Sequence, residues 1–451
     1  MKFYMKIELH YYDIYPKVFL AGEPVTITIR PLGAHVAFEG DYKVSVMSMD
    51  QGMIKCYPER GNLIDYAVMT DADGCLRITH CFPEESEYVI CISREEQAVA
   101  HLNVYALDED MRGRYPFRGN LHTHTCRSDG KQAPAIVAAN YRKHGYDFMS
   151  INDHRRYYPS LEAIEAYEDV SCGMTLVYGE EIHLPDNSVH IVNFGSTYSV
   201  NGLLDCSMQS QESTKRAVID NPPPVITEEQ YKEEVWALAE TLDIPDHLEK
   251  FVYASCVWIW RHIQNGGGLA IYAHPYWKPR GKEPYNVPET LSDYILEQHA
   301  FDAFEVLNKQ QITMRLQPVK YYECREKGIR FPIVGSTDDH TSLREQLETA
   351  MSLSTMVFAK KNAREELIAA IKEEYSVAVD EAAGEYRLIG DFRLAKYTRF
   401  LLDELVPLHD DLCHEEGRLM KAYATGETWA VEGLALCQKE MTRFYDKYFC
   451  V

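Results

Sequence analysis

His122 and His124 stand two positions apart in the stretch Gly119–Gly130, which also carries Asp129. Side chains on a strand repeat every two residues, so both imidazoles face the same way. Two imidazoles on one face, followed by a carboxylate in the next loop, are the beginning of a divalent-cation site. The chain supplies more of the same chemistry further on: Asp153 and His154, Glu180 and Glu181, His183, His190, His274, and the run Asp338, Asp339, His340. Most of these follow a short apolar run, as residues at strand ends do. Imidazole and carboxylate together suit Zn²⁺, Mn²⁺ or Fe²⁺. Cys126 lies inside the first stretch, but the other groups complete a site without it.

The elements that must carry these residues alternate. Between 117 and 375 the pattern is strand then helix, repeated: helix 133–144, strand 146–152, helix 161–168, strand 175–178, helix 252–264, strand 269–273, strand 302–307, helix 319–327 and strand 332–335. Such alternation predicts parallel strands with crossover helices, for which a barrel is the natural closed form. Residues 1–112 read as β-rich, with alternating segments at Val25–Arg30, Tyr42–Met47 and Tyr88–Ser93, and predict a small sandwich. Asp71–Gly74 is a turn between strands. A polar, irregular stretch at 108–116 reads as a linker, so the second domain is placed at 113–375. The segment 199–250, with Pro222–Pro224 and a charged helix at 228–242, interrupts the rhythm as an insertion near the mouth of the barrel: a lid, a partner surface or a solvated excursion. Residues 376–451 predict a helical extension in which Trp429, Leu434, Leu436, Met441 and Phe444 form a packing face, against the barrel or a second copy of the chain.

Bulk properties exclude several classes. A chain of 451 residues is too long for one ordinary core. A formal charge of −23 and the lack of a basic run oppose binding of long nucleic acid. Apolar runs are well short of the roughly 20 residues a spanning helix needs. The N-terminus lacks the apolar core and cleavage site of a signal peptide, which predicts a cytoplasmic protein with no membrane partner. The 12 cysteines form no C-x-x-C pair and predict no disulfide framework.

Five ordered motifs resemble those of the PHP (polymerase and histidinol phosphatase) superfamily of metal-dependent hydrolases, over residues 117–375. They are Arg118–Thr125 with Ser128–Gly130; Asn152–His154; Tyr178–Ile182 with His190; Gly266–Pro275; and Gly335–His340. Within the superfamily, a β-rich domain leading into the first motif is similar to the CehA/McbA-type metallohydrolases. The resemblance implies a distorted (β/α)7 barrel with its site at the C-terminal strand ends. It implies three ion sites: His122, His124, Glu181 and Asp338 for the first; Glu181, His190 and His274 for the second; Asp129, His154 and His340 for the third. Glu181 is preferred to Glu180, and Asp338 to Asp339, by the family's spacing. Thr337 stands where the family often passes directly from Ser to the ligand Asp. His183 is placed to orient a ligand carboxylate.

The implied reaction is hydrolysis of a phosphomonoester or phosphodiester by a hydroxide bridging two or three divalent ions, so that no Ser or Cys nucleophile is needed. Those ions would outweigh three carboxylates and leave a positive pocket inside an acidic chain. Arg127, Arg155, Arg156, Lys278, Arg280 and Lys309 lie near site motifs, and Arg155 and Lys278 are the preferred substrate-phosphate contacts. Glu305 and Asn308 match the family's Glu-x-x-Asn strand end and are expected to line the pocket, Asn308 as a substrate-binding residue. Tyr157, Tyr276 and Trp277 are candidates to stack on a base or aryl group, or to pack at the rim. Two alternatives stay open: an ester, carbamate or amide hydrolase using the same ions, and a non-catalytic assembly scaffold. A homo-oligomer is compatible with either.

Overall fold

Along Leu76–Cys81 buried and exposed side chains alternate, as on a sheet covered on one face. That strand belongs to the first of two units in the computed structural model, which describes residues 6–50, 64–212, 214–308, 311–342, 353–381 and 387–451. The first unit comprises Lys2–Arg114, Lys396–Leu412 and Lys439–Val451. Its strands are β1 (Tyr12–Tyr15), β2 (Val18–Leu20), β3 (Pro24–Pro31), β4 (Asp41–Ser48), β5 (Ile64–Met69), β6 (Leu76–Cys81), β7 (Ser86–Arg94) and β8 (Gln97–Leu107). One sheet has the order β1-β3-β6. The other contains β2-β8-β7-β4-β5, and the C-terminal Phe449–Cys450 pairs parallel with β2 at its edge. Ile14, Ile27, Ile29 and Leu76 of the first sheet share one core with Val44, Ile90, Leu102 and Val104 of the second, as the sandwich reading expects. The Asp71 turn is held by its own carboxylate, which accepts from the backbone N–H groups of Asp73 and Cys75 at 2.9 Å each.

The second unit comprises Tyr115–Ala395 and Cys413–Gln438. It is a mixed α/β structure. Its strands are β9 (Tyr115–Asn120), β10 (Phe148–Ser150), β11 (Thr175–Val177), β12 (Gly179–Ile182), β13 (Ile191–Phe194), β14 (Leu269–Tyr272), β15 (Ala303–Leu307), β16 (Ile333–Gly335), β17 (Leu353–Ala359), β18 (Ser376–Asp380) and β19 (Arg387–Ile389). They form two sheets, β11-β10-β9-β17-β18-β19 and β12-β13-β14-β15-β16, and not one closed ring of ladders. Nor are they all parallel. β9, β10 and β11 are parallel, as are β14, β15 and β16, but β12-β13-β14 and β18-β17-β9 are antiparallel. The short link between β12 and β13 leaves no room for a crossover helix, so β13 returns as a hairpin partner. Two isolated bridges, Thr123 with Asp339 and His154 with Glu181, join the sheets at the ends that carry the histidine motifs.

Two further expectations need correction. The insertion is no solvated excursion: Leu203, Leu204, Tyr231, Val235 and Ala239 belong to the same apolar core as β13, β14 and β15. Its helix Glu228–Ala239 starts at a capping box formed by Thr227 and Gln230. The C-terminal stretch is not a separate helical extension either. β18 and β19 extend a sheet of the second unit, and the three helices that follow (Phe392–Glu404, Val406–Ala424 and Ala430–Tyr448) are divided between the two units. Leu434, Met441 and Phe444 are buried as expected of a packing face, but Trp429 and Leu436 are 56% and 57% exposed. Among the described residues no helix is long and apolar enough to cross a membrane.

Candidate metal centre

The motif loops that follow β9 and β16 are laced together before any site is considered. Asn120 donates from Nδ2 to the His122 carbonyl at 3.0 Å and accepts the Thr337 N–H at 2.9 Å. The backbone N–H of Asp338 donates to His122 O, and that of His124 to Asp339 O, each at 2.9 Å. Thr337 is held by Tyr141, whose hydroxyl lies 2.6 Å from its Oγ1. These bonds set Asp338 against the two histidines. Asp338, His274 and Arg155 all take positive φ (+49°, +24° and +61°). Side chains other than glycine pay strain there, and such strain is typical of functional loops.

The cluster gathers all nine positions expected to hold ions. His122 Nε2 lies 3.3 Å from Asp338 Oδ1 and 3.6 Å from Glu181 Oε2. His124 Nε2 is 2.9 Å from Asp338 Oδ1. His274 Nε2 is 3.6 Å from both Glu181 Oε1 and Asp338 Oδ2. His190 Nδ1 is 2.8 Å from Glu181 Oε1, and His154 Nδ1 is 2.6 Å from Glu181 Oε2. Asp129 lies 3.6 Å from His154 Nε2 and 3.2 Å from His340 Nε2. Donor atoms within 4.8 Å of one another occur in the groups His124, Asp129, His154, His340; His122, His124, Glu181; and His122, His274, Asp338. The grouping differs from the family carry-over in two details: His274 joins His122 and Asp338, and His124 also faces the Asp129 set.

Burial divides the cluster into tiers. The side chains of His122, His124, His274, Glu181 and Asp338 are at most 5% exposed. Those of His154, His340 and Asp129 are 27%, 29% and 56% exposed. Glu180 and Glu181 point apart. Glu180 accepts from Ser199 Oγ, Asn201 Nδ2 and the Val200 N–H at 2.6–2.8 Å, while Glu181 faces the histidines. Asp339 accepts the Thr341 N–H and stands off the cluster; burial pushes its carboxyl up to about 6.

The electrostatics follow from the crowding. Burial pushes the carboxyls of Glu181 and Asp338 up, but the imidazoles around them outweigh it and hold both well below the usual carboxylate range. Burial takes His124 and His190 down to about 3. Burial also opposes a charge on His154, yet Glu181 and Asp129 carry it up to about 10.

The residues fit a set of divalent cations. His122 Nε2, His124 Nδ1, His190 Nδ1 and both carboxylate oxygens of Glu181 are buried with no hydrogen-bond partner. Such atoms occur elsewhere in the chain, but here five fall among the motif residues of one cluster. Glu305, expected only to line the pocket, does more: its carboxylate lies 3.0 Å from His122 Nδ1 and accepts the His274 N–H at 3.1 Å. A proton on His122 Nδ1 leaves Nε2 with its lone pair toward Glu181 and Asp338, the usual orienting device behind a metal-binding imidazole. Asn308 Nδ2 donates to Glu305 Oε2 and Asp338 Oδ2 at 3.3 and 3.2 Å, so it braces the carboxylates.

A cavity of about 690 Å³ opens on the cluster, lined also by Arg155, Arg156, Met208 and Trp277. Of the cationic candidates, Arg155 makes no ion pair among the described residues, whereas Arg127 is bidentate to Glu162 and Arg156 to Glu212. Lys278 is not among the lining residues; its backbone N–H donates to Gln311. Lys309 and the side chain of Arg280 lie outside the described residues. Tyr157 is buried with its hydroxyl on the Ser196 carbonyl and Tyr276 is buried as well, which leaves Trp277 as the stacking candidate that lines the cavity. His183 lines it too, with Nε2 3.0 Å from His154 Nδ1. Nothing in the sequence pattern pointed to Met208, Gln209 or Glu212, because their role depends on how the insertion folds back.

No protein-family model and no curated protein matches the chain. Among solved structures it is similar to a two-domain protein from Bacteroides vulgatus ATCC 8482 containing a predicted PHP-like metal-dependent phosphoesterase, at 17% identity over 59% of this chain and 65% of that one, with a TM-score of 0.39. The chain thus spans just under two thirds of that protein's length. It is also similar to an amidohydrolase from Chromobacterium violaceum solved with sulfate and no metal, at 19% identity over 49% of this chain and 87% of that one, with a TM-score of 0.29. Likenesses at these TM-scores fix neither fold nor activity.

Proposed function

We propose that the chain is a metal-dependent hydrolase of the PHP type that cleaves a phosphomonoester or phosphodiester. Two or three divalent ions, Zn²⁺, Mn²⁺ or Fe²⁺, are held by His122, His124, Asp129, His154, Glu181, His190, His274, Asp338 and His340. The scaffold is read as a distorted seven-strand barrel in which the two bridges between sheets complete the circuit. The β-rich unit before the first motif is what favours the CehA/McbA type within that superfamily. The observation that carries the reading is the gathering of buried imidazole nitrogens around the Glu181 oxygens with no hydrogen bond between them.

Bound ions would supply a water that ionises near neutral pH and positive charge for a phosphoryl oxygen. The chain's own residues do the rest. Glu305 fixes the His122 ring and Asn308 the Asp338 carboxylate. Arg155 offers an uncommitted guanidinium to an anionic group at the cavity. Trp277 and Met208 give the alcohol portion an apolar wall. The test is a panel of p-nitrophenyl phosphate, bis-p-nitrophenyl phosphate and aryl esters with Mn²⁺ or Zn²⁺. Turnover of either phosphate supports the reading; turnover of esters alone rejects the phosphoesterase.

A further inference from the structure

We infer that residues 207–212 of the insertion act as a clamp that positions His154 for ion binding, with Gln209 and Glu212 as the positioning residues. The inference rests on the metal reading of the cluster and extends it to a segment that lies outside every motif.

His154 sits on a loop beyond a strand end. Its side chain is partly exposed, the residue after it takes positive φ, and β10 has already ended at Ser150. From within the fold the loop is tied by its own backbone: Arg155 N–H donates to Glu181 O at 2.9 Å and Arg156 N–H to Asp153 O at 3.2 Å. From the other side it is tied by the insertion. Gln209 is fully buried, and its Oε1 accepts the Tyr157 N–H at 2.8 Å and the Tyr158 N–H at 3.4 Å. Those are the first amides of the helix Tyr158–Glu165, which otherwise lacks a side-chain cap. The Gln209 amide nitrogen is spent on Thr214 and Lys215, which fixes its rotamer. One turn on, Glu212 receives Arg156 through both Nε (2.9 Å) and Nη2 (2.7 Å). Met208, next to Gln209, lines the cavity.

The clamp therefore grips Arg156 and the Tyr157 amide, on the C-terminal side of the Arg155 turn, and His154 is the proposed ion-binding residue nearest to it in sequence. The inner histidines need no such support, because Glu305, Asn120 and the backbone bonds between motif loops hold them. Loss of the clamp should weaken the outer group of His124, Asp129, His154 and His340 and spare the inner groups. Removal of a side chain that orients a metal-binding residue typically costs about 10- to 100-fold in metal affinity.

The experiment uses the full chain, stripped and reloaded with Mn²⁺ or Zn²⁺, with ions per chain read by plasma mass spectrometry and affinities by calorimetry. For Glu212→Ala and Gln209→Ala the expected result is about 10- to 100-fold weaker binding of one ion with the others unchanged, and a smaller loss for Glu212→Gln, which keeps an acceptor for Arg156. Thr227→Ala weakens the insertion helix without touching the clamp and should leave every ion in place. Unchanged binding in both clamp variants would overturn the inference, as would equal losses in Thr227→Ala and Glu212→Ala. A wild-type chain that takes up no ion would instead overturn the metal reading itself.

Discussion

Two buried groups of charged side chains lie in the same unit and are built on opposite plans. Around Arg142 every charge is answered: its guanidinium reaches Glu416 at 2.7 Å, Asp147 at 2.8 Å and the Tyr146 carbonyl at 3.1 Å, and Glu416 also accepts from Gly173 N–H and Gln438 Nε2. Around Glu181 the carboxylate oxygens face imidazole nitrogens without a formed hydrogen bond. Burial of charge by itself is thus no sign of function, since Arg142 is as buried as His122. What separates the two is the sign of the unmet need. The first group is complete as folded, and the second calls for cations.

The comparison breaks most sharply with two substitutions. Asp338→Ala should lower activity on the order of a thousandfold and release ions, while its apo form melts near the wild-type temperature, because the carboxylate contributes little to packing. A large loss of apo stability would merge the two plans into one. Arg142→Ala should do the reverse: a loss of about 3–5 kcal/mol in denaturant unfolding, from leaving Glu416 and Asp147 buried without their partner, with ions per folded chain unchanged. Loss of ions in that variant would make the Arg142 group part of the site.

Two smaller effects sharpen the contrast. A chelator should lower the melting temperature of the loaded chain, since an ion present at a hundred times its dissociation constant stabilises the fold by about 2.7 kcal/mol per site. Differential scanning fluorimetry of the loaded and stripped chain measures this, and the Arg142 variant should respond like the wild type. Glu305→Gln keeps the shape but removes the charge behind His122, and should weaken ion binding about 10- to 100-fold, read by calorimetry.

The residues that gather in the cluster were legible in the sequence because they sit at strand ends, where apolar runs give way to His, Glu and Asp. Strand alternation says only that Glu180 and Glu181 point apart; the resemblance, through the family's Gly-x-Glu spacing, chooses Glu181, and the structure turns Glu180 toward Ser199 and Asn201. The layout of strands was less legible. β14, β15 and β16 read as parallel strands and are parallel, but β12 and β13 do not read as strands, because four residues each on either side of a short link carry too little period to mark a hairpin. β18 and β19 passed as part of a helical tail because five- and three-residue strands carry too little period to be heard. The clamp at Gln209 was invisible, since its bonds go to backbone amides fifty residues away.

The central claim is that the cluster exists to hold cations. The most direct test is the number of ions per chain, with their positions from anomalous scattering, for protein purified without chelators. Two or three ions within reach of Glu181 and Asp338 are expected. A chain that stays free of ions after dialysis against both Zn²⁺ and Mn²⁺ would contradict the account.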